Sequence, residues 1–176
     1  LFAQDKNNPH LFYYPENAYP LSYNGWGDVL VIVFFGFVPV GGTYYVQALT
    51  WTPDVTIASL ICGLLIDTLL VVNNYRDREA DARSGKRTVI VRFGEKFGRY
   101  FYLMLGITAS LLCLCFLREG HFYAAFLPQL YLIPHFLTWK RMVKIYSGKK
   151  LNSILGETSR NMLLMGILIA IGMLIN

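Results

Sequence analysis

Five long apolar segments constrain the fold of this chain more than any other feature of its sequence. They run from Asp28 to Leu49, Asp54 to Asn73, about Tyr100 to Leu117, His121 to Trp139 and Asn161 to Ile175. Each approaches the ~20 residues an α-helix needs to cross a bilayer at about 1.5 Å per residue, the fifth being the shortest. The sequence therefore predicts an all-α integral membrane protein with about five transmembrane helices. Pro39, Pro128 and Pro134 fall inside these segments, where membrane helices tolerate them. Gly41 and Gly42 follow Pro39, so a bend is expected there. Only 15% of the residues are charged, against about 25% in soluble domains, and mean hydropathy is +0.40. That balance excludes a disordered chain, a disulfide-rich secreted miniprotein and a typical soluble nucleic-acid binder.

The charge distribution carries a second message. Thr50–Pro53 and Arg118–Gly120 are short and predict tight hairpins, whereas loops 74–99 and 140–160 are long and charged. If every segment crosses, those two loops share one side with the N-terminal 27 residues. That side holds fourteen Lys and Arg in its two loops, and the other side holds only Arg118. By the positive-inside rule the charged loops are expected to be cytoplasmic, in a multi-pass protein of the inner (cytoplasmic) membrane. The net charge of +5 then reads as topology, and no nucleic-acid partner is expected. The division expected is a cytoplasmic-side loop or cap over 1–27 and a five-span bundle over 28–176. Trp26, Trp51 and Trp139 lie at span ends, at headgroup depth. Cys62, Cys113 and Cys115 sit in apolar runs without metal-type spacing and read as small core or lipid-facing residues. The chain starts at Leu1 with no signal-peptide pattern.

The residues that can carry chemistry lie where the second segment ends. Asn73, Asp77 and Asp81 are four residues apart, so on a helix they form one stripe. Two carboxylates and an amide oxygen would face one space and repel unless a cation sits between them. Mg²⁺ suits such hard oxygens, with water and phosphate completing its shell. Arg83, Lys86 and Arg87 follow closely and supply donors for phosphate oxygens. Gly85 permits a turn that folds this basic group back over the acids. The bland alternative is a solvated charged loop, with Arg76–Asp77 or Arg78–Glu79 as surface pairs of little weight.

The run NNYRDREADARSGKRTVIVRFG resembles the second aspartate-rich motif of the UbiA-type intramembrane prenyltransferases. It is most similar to the branch that prenylates 1,4-dihydroxy-2-naphthoate. Asn73, Asn74, Arg76, Asp77, Asp81, Gly85, Lys86 and Thr88 match every fixed position of that branch's pattern. PLSYNGWGD, FFGFVPVGGTYYVQ and LLMGILIAIGML extend the resemblance over nearly all of the chain beyond residue 19. The resemblance implies a nine-helix bundle in which two aspartate-rich motifs hold Mg²⁺ and bind the diphosphate of a polyprenyl donor. It implies transfer of the polyprenyl group to an aromatic acceptor, with loss of CO₂ in the naphthoate branch, giving demethylmenaquinone. Carried over, Asp77 and Asp81 would coordinate Mg²⁺ with Asn73 assisting, and Lys86 and Arg87 would contact the diphosphate.

The first aspartate-rich motif of that family has no counterpart here. The five segments correspond to the last five of the nine helices, so the expected reading is the C-terminal part of such an enzyme, inactive without its first four helices. Residues 1–18 resemble nothing usable; a cap bringing Tyr14, Tyr19 or Tyr23 near the acceptor stands against plain interfacial tyrosines. Asp67 lies mid-span, ~15 Å before Asp77, either as a hydrogen-bonded buried acid paired with Thr68 or another span, or with a cavity role. His121 and His135 form no ligand set, and Gln47 is expected to pack. Three rival readings are weighed. The CDP-alcohol phosphatidyltransferases need a D-G-x-x-A-R run that Asp81-Ala82-Arg83 lacks. A different acceptor such as 4-hydroxybenzoate is possible within the family. A non-enzymatic transport or assembly subunit would not require Asp77.

Overall fold

The computed structural model describes residues 25–175 and the backbone of two short strands before them. The strands, β1 (Ala3–Gln4) and β2 (Phe12–Tyr13), pair antiparallel with Ala3 opposite Tyr13. Tyr14, Tyr19 and Tyr23, and with them the expected cap, lie outside the described residues.

Helical rods make up the rest. The first covers Gly27–Ala48 and is built of α1 (Gly27–Val31), a π-helix (Ile32–Gly41) and α2 (Gly42–Ala48). The expected bend is absent from Gly41 and Gly42, whose φ values of −67° and −62° are helical. Pro39 instead lies within the π-wound stretch, where the Gly42 N–H reaches Phe37 O, five residues back. Proline has no N–H and crowds the carbonyl four residues before it, and a wider winding relieves both problems.

Helix α3 (Pro53–Arg83) opens with Pro53 in its first turn and Thr52 as N-cap, its hydroxyl accepting from Val55 N at 3.3 Å. Its 31 residues exceed the ~20 that a hydrocarbon core requires. The apolar stretch ends near Asn73, and the charged remainder projects beyond it. Most of the expected 74–99 loop is therefore helical. Arg, Glu and Ala are good helix formers and carry the helix past the apolar region. A turn at 84–88 leads into α4 (Val89–Leu112), capped by the Thr88 hydroxyl and broken at Gly94. A 3₁₀ stretch (Cys113–Glu119) and Gly120 (φ +85°) close the next hairpin. Then come α5 (Phe122–Phe126), a 3₁₀ turn (Leu127–Tyr131) and α6 (Leu132–Ile145). Another 3₁₀ turn (Lys149–Leu151) leads into α7 (Asn152–Leu174).

Among the described residues four rods are long and apolar enough to cross a membrane: Gly27–Ala48, Pro53–Arg83, Val89–Glu119 and Lys149–Leu174. The remaining expected segment, His121–Trp139, does not pass by length and composition. That segment is helical, but the 3₁₀ turn interrupts it at Pro128, and Gln129, Pro134 and His135 dilute its apolar character. Gln129 bonds back across the break, its amide donating to Ser110 O at 2.8 Å and to Ala125 O at 2.9 Å.

Helix α3 lies at the centre, against the first rod on one side and α4 and α7 on the other. Lipid is as apolar as a side chain, so helices in a membrane associate by close packing and polar ties. Both occur here. Gly36 faces Ser59 and Gly63 so closely that a Cβ on Gly36 would strike the Ser59 carbonyl. One core cluster near the charged end includes Val72, Tyr75, Tyr102 and Met142. A second, further along, includes Ile61, Leu65, Phe116 and Met165. The Tyr102 and Thr158 hydroxyls meet at 3.0 Å between α4 and α7.

Candidate functional site

The final turns of α3 carry the acidic stripe, and the arrangement centres on Arg76. Its Nε and Nη2 donate to the two carboxylate oxygens of Asp77 at 2.8 and 2.6 Å. Nη2 also donates to Asn73 Oδ1 at 2.6 Å. Nη1 donates to Asn152 Oδ1 at 2.9 Å, which ties the start of α7 to the stripe. The guanidinium beside Asp77 holds that carboxyl below the usual carboxylate range, and Asp77 in turn raises Arg76. Helical spacing alone puts Asn73, Asp77 and Asp81 on one face, and Arg76 is a fixed position of the motif, but nothing in the sequence points to Asn152. No local signal marks a contact between residues 76 apart.

The basic group folds back as Gly85 permits. At φ +76° that position suits glycine. The Lys86 N–H donates to Asp81 O at 3.0 Å, closing the helix in the manner of a Schellman cap. The Lys86 ammonium then lies 3.4 Å from both Asp81 oxygens. Arg83 and Arg87 are exposed and form no ion pair among the described residues.

Arg78 does not pair with Glu79. It turns to the α4 side, where its Nη1 donates to Tyr75 O at 2.7 Å and Nη2 lies 3.7 Å from Glu95. Its guanidinium also lies over the rings of Tyr75 and Tyr146, 4.7 and 5.0 Å from their centroids. Arg99 completes this cluster, donating to Tyr75 Oη at 2.9 Å and facing Tyr146 from 5.2 Å. Tyr146, at φ +66°, is thereby fixed at the turn between α6 and α7.

The donor set suits Mg²⁺ in part. Asn73, Asp77 and Asp81 offer hard oxygens on one helix face, enough for an ion that takes the rest of its shell from water and phosphate. They do not form a complete protein cage. Among the described residues no group of three or more His, Cys, Asp or Glu could hold a metal. Arg76 already engages Asp77 and Asn73, so an incoming ion must share them with the guanidinium or displace it.

Asp67 is fully buried, and neither of its oxygens has a hydrogen-bond partner among the described residues. The expected pairing with Thr68 is not made; the Thr68 hydroxyl donates to Leu65 O instead. Asp28, on the first rod, is buried with one oxygen unpartnered among the described residues. It borders a cavity of about 50 Å³ that Asn74, Lys86 and Thr88 also line. His135 packs between Tyr102 and Tyr131, its Nδ1 2.9 Å from Tyr131 Oη. Gln47 is exposed along a cleft of about 680 Å³ at the far end, so its expected packing role is corrected. The three cysteines are free, with Cys113 buried.

The profile of the UbiA prenyltransferase family matches residues 10–173. The chain is 35% identical, over 92% of its length, to a 1,4-dihydroxy-2-naphthoate octaprenyltransferase of Haemophilus influenzae, covering 53% of that protein. It is 42% identical to the Escherichia coli protein of the same name, over 54% of this chain and 30% of that one. A UbiA prenyltransferase domain-containing protein 1 of Dictyostelium discoideum is 29% identical over 89% of this chain and 46% of its own length. The chain thus spans about half the length of the first of these relatives, and less of the others. No solved structure matches it.

Proposed function

This chain belongs to the UbiA prenyltransferase family, and from that membership we propose that it forms the donor-binding half of an aromatic prenyltransferase site. The reaction is transfer of a polyprenyl group from its diphosphate to 1,4-dihydroxy-2-naphthoate, with loss of CO₂, in menaquinone formation. The observation that carries this reading is the stripe of Asn73, Asp77 and Asp81 at the charged end of α3, with Lys86 folded back onto it. Relatives named for naphthoate prenylation support the choice of acceptor.

Asp77 and Asp81, with Asn73, would hold Mg²⁺, which when bound supplies positive charge to the diphosphate. The protein's own cations share that task. Lys86 stands beside Asp81, and the exposed Arg83 and Arg87 flank it, so positive charge is concentrated where the leaving group becomes most negative. Charge placed in advance at that point lowers the barrier to C–O cleavage. Arg76 keeps Asp77 ionised and fixes the spacing of α3 and α7. The aromatic ring then attacks the allylic carbon as diphosphate departs. A second acidic motif, outside this chain, would complete the site. The charged end faces the cytoplasm on this reading.

The test is prenyl transfer by membranes containing the protein as expressed from its gene, with 1,4-dihydroxy-2-naphthoate and 4-hydroxybenzoate as competing acceptors. Asp77→Ala should abolish transfer while the protein still inserts. Unchanged activity in that variant would overturn the reading, and preference for 4-hydroxybenzoate would correct the acceptor.

A further inference from the structure

A second polar site lies on the opposite face of α7 from the acidic stripe. Asn152, which touches Arg76, and Asn161 are nine residues apart, or two and a half helical turns. Asn161 therefore points away from Arg76, toward α6, and donates to Thr138 Oγ1 at 2.9 Å. Between α6 and α7 at this level is a cleft of about 200 Å³, with Arg141 and Arg160 on its walls. Glu157 engages Arg141 Nη1 at 2.8 Å and accepts from Thr138 at 3.3 Å. That leaves most of the five Arg141 donors unused. Arg160 is exposed and makes no hydrogen bond or ion pair among the described residues.

The cleft stands at the boundary of the apolar region. Beyond Trp139 helix α6 is charged, and from Asn161 onward α7 is apolar. Leu137 lines the polar cleft and also an adjoining groove of about 440 Å³, whose walls are almost wholly apolar and include Ile133 and Phe136. The Lys140 ammonium lies 4.7 Å from the ring centroid of Phe136, one of the groove's walls. The cleft thus offers two arginines against a single acid, and the groove beside it offers a hydrocarbon slot. Arginine forks match phosphate oxygens, and basic pockets between membrane helices take anionic head groups.

We propose that the α6–α7 cleft binds one anionic phospholipid, its phosphodiester held by Arg141 and Arg160, and an acyl chain lying past Leu137 along the apolar groove. The site is separate from the proposed donor site and does not depend on it. It gives the bundle a fixed lipid where the broken helical segment 122–145 meets α7.

Native mass spectrometry of the protein as expressed from its gene, purified in non-ionic detergent, tests this with phosphatidylglycerol and phosphatidylcholine of identical acyl chains. Phosphatidylglycerol should be retained about tenfold more than phosphatidylcholine and should raise the melting temperature more. Arg141→Gln with Arg160→Gln should reduce retention to the phosphatidylcholine level, while Lys149→Gln with Lys150→Gln should leave the preference intact. Equal melting of the unmodified protein in the two lipids would overturn the proposal without recourse to any variant. A preference that survives loss of both arginines, or that falls equally with the lysine pair, would also overturn it. Displacement of phosphatidylglycerol by millimolar inorganic phosphate would reassign the cleft to free phosphate and refute the lipid.

Discussion

Arg76 sets the electrostatics of the acidic stripe, because it already occupies the place a metal ion would want. Its contacts with Asp77 and Asn73 compete with any cation arriving without diphosphate. Replacing it by Gln should tighten Mn²⁺ binding on the order of tenfold, about 1.4 kcal/mol, read by electron paramagnetic resonance of free Mn²⁺. Unchanged or weaker binding would mean that the guanidinium helps to hold the metal. The same variant carries a pH signature. Asp77 ionises below its usual range because of Arg76, so the stabilisation from this pair is present above the unfolded carboxylate value of ~3.9 and lost as pH falls through the folded value. In Arg76→Gln the Asp77 titration, followed by carbon NMR, should move up toward ~3.9. The effect on stability is small, since the Asp77 side chain is 39% exposed and solvent screens the pair. A second residue-scale expectation concerns packing. A Cβ on Gly106 would run into the His135 ring, itself held by Tyr131 and Leu103 O. Gly106→Ala should therefore cost about 1–3 kcal/mol, seen as a lower melting temperature in detergent. The stripe was legible in the sequence because helical spacing is local. Asn152 was not, because its contact depends on how α7 docks.

At the level of the helices, apolar length predicted where rods exist but not where they end. Hydropathy reports only what the hydrocarbon requires, whereas a helix continues for as long as its backbone hydrogen bonds are satisfied. Helix α3 thus runs on through Arg83 until Gly85, and α7 starts at Asn152 rather than Asn161. The π-helix around Pro39 was also hidden, since the Pro-x-Gly-Gly sequence announces a disturbance without specifying a wide winding over a kink. What holds the first rod to α3 is close approach. A Cβ on Gly63 would come within 2.9 Å of Ile32 Cα, whereas one on Gly42 would meet nothing within 4 Å. Gly63→Ala should separate the rods at a cost of about 1–3 kcal/mol. Gly42→Ala should be neutral or gain up to about 1 kcal/mol from helix propensity. Thermal unfolding of the pair checks this directly, and equal effects would show that Gly63 is not a packing contact.

Across the whole molecule, one asymmetry ties fold to proposed function: the acidic stripe, the arginine cleft and nearly all of the basic residues lie at the same end of the bundle. Connections 84–88 and 146–148 share that end, whereas 49–52 and Gly120 lie at the other. If every segment crosses, fourteen cations lie across the membrane from one, and the expected orientation puts their end in the cytoplasm, because cytoplasmic loops retain Lys and Arg. On the proposed function, the diphosphate head of a membrane-borne polyprenyl donor would then meet the stripe at the cytoplasmic surface. The arrangement requires that segment 122–145, which does not pass as a span by length and composition, still crosses. Labelling can decide both points together. In a background lacking Cys62, Cys113 and Cys115, Ser84→Cys and Ser147→Cys should react with an impermeant maleimide only in inverted membrane vesicles. Thr50→Cys and Glu119→Cys should react only in intact cells opened to the periplasm or surface. If Ser84→Cys and Ser147→Cys label from opposite sides, segment 122–145 does not traverse, and α7 must enter the membrane from the other face. If both pairs are reversed, the diphosphate site faces outward and a cytoplasmic donor could not reach it.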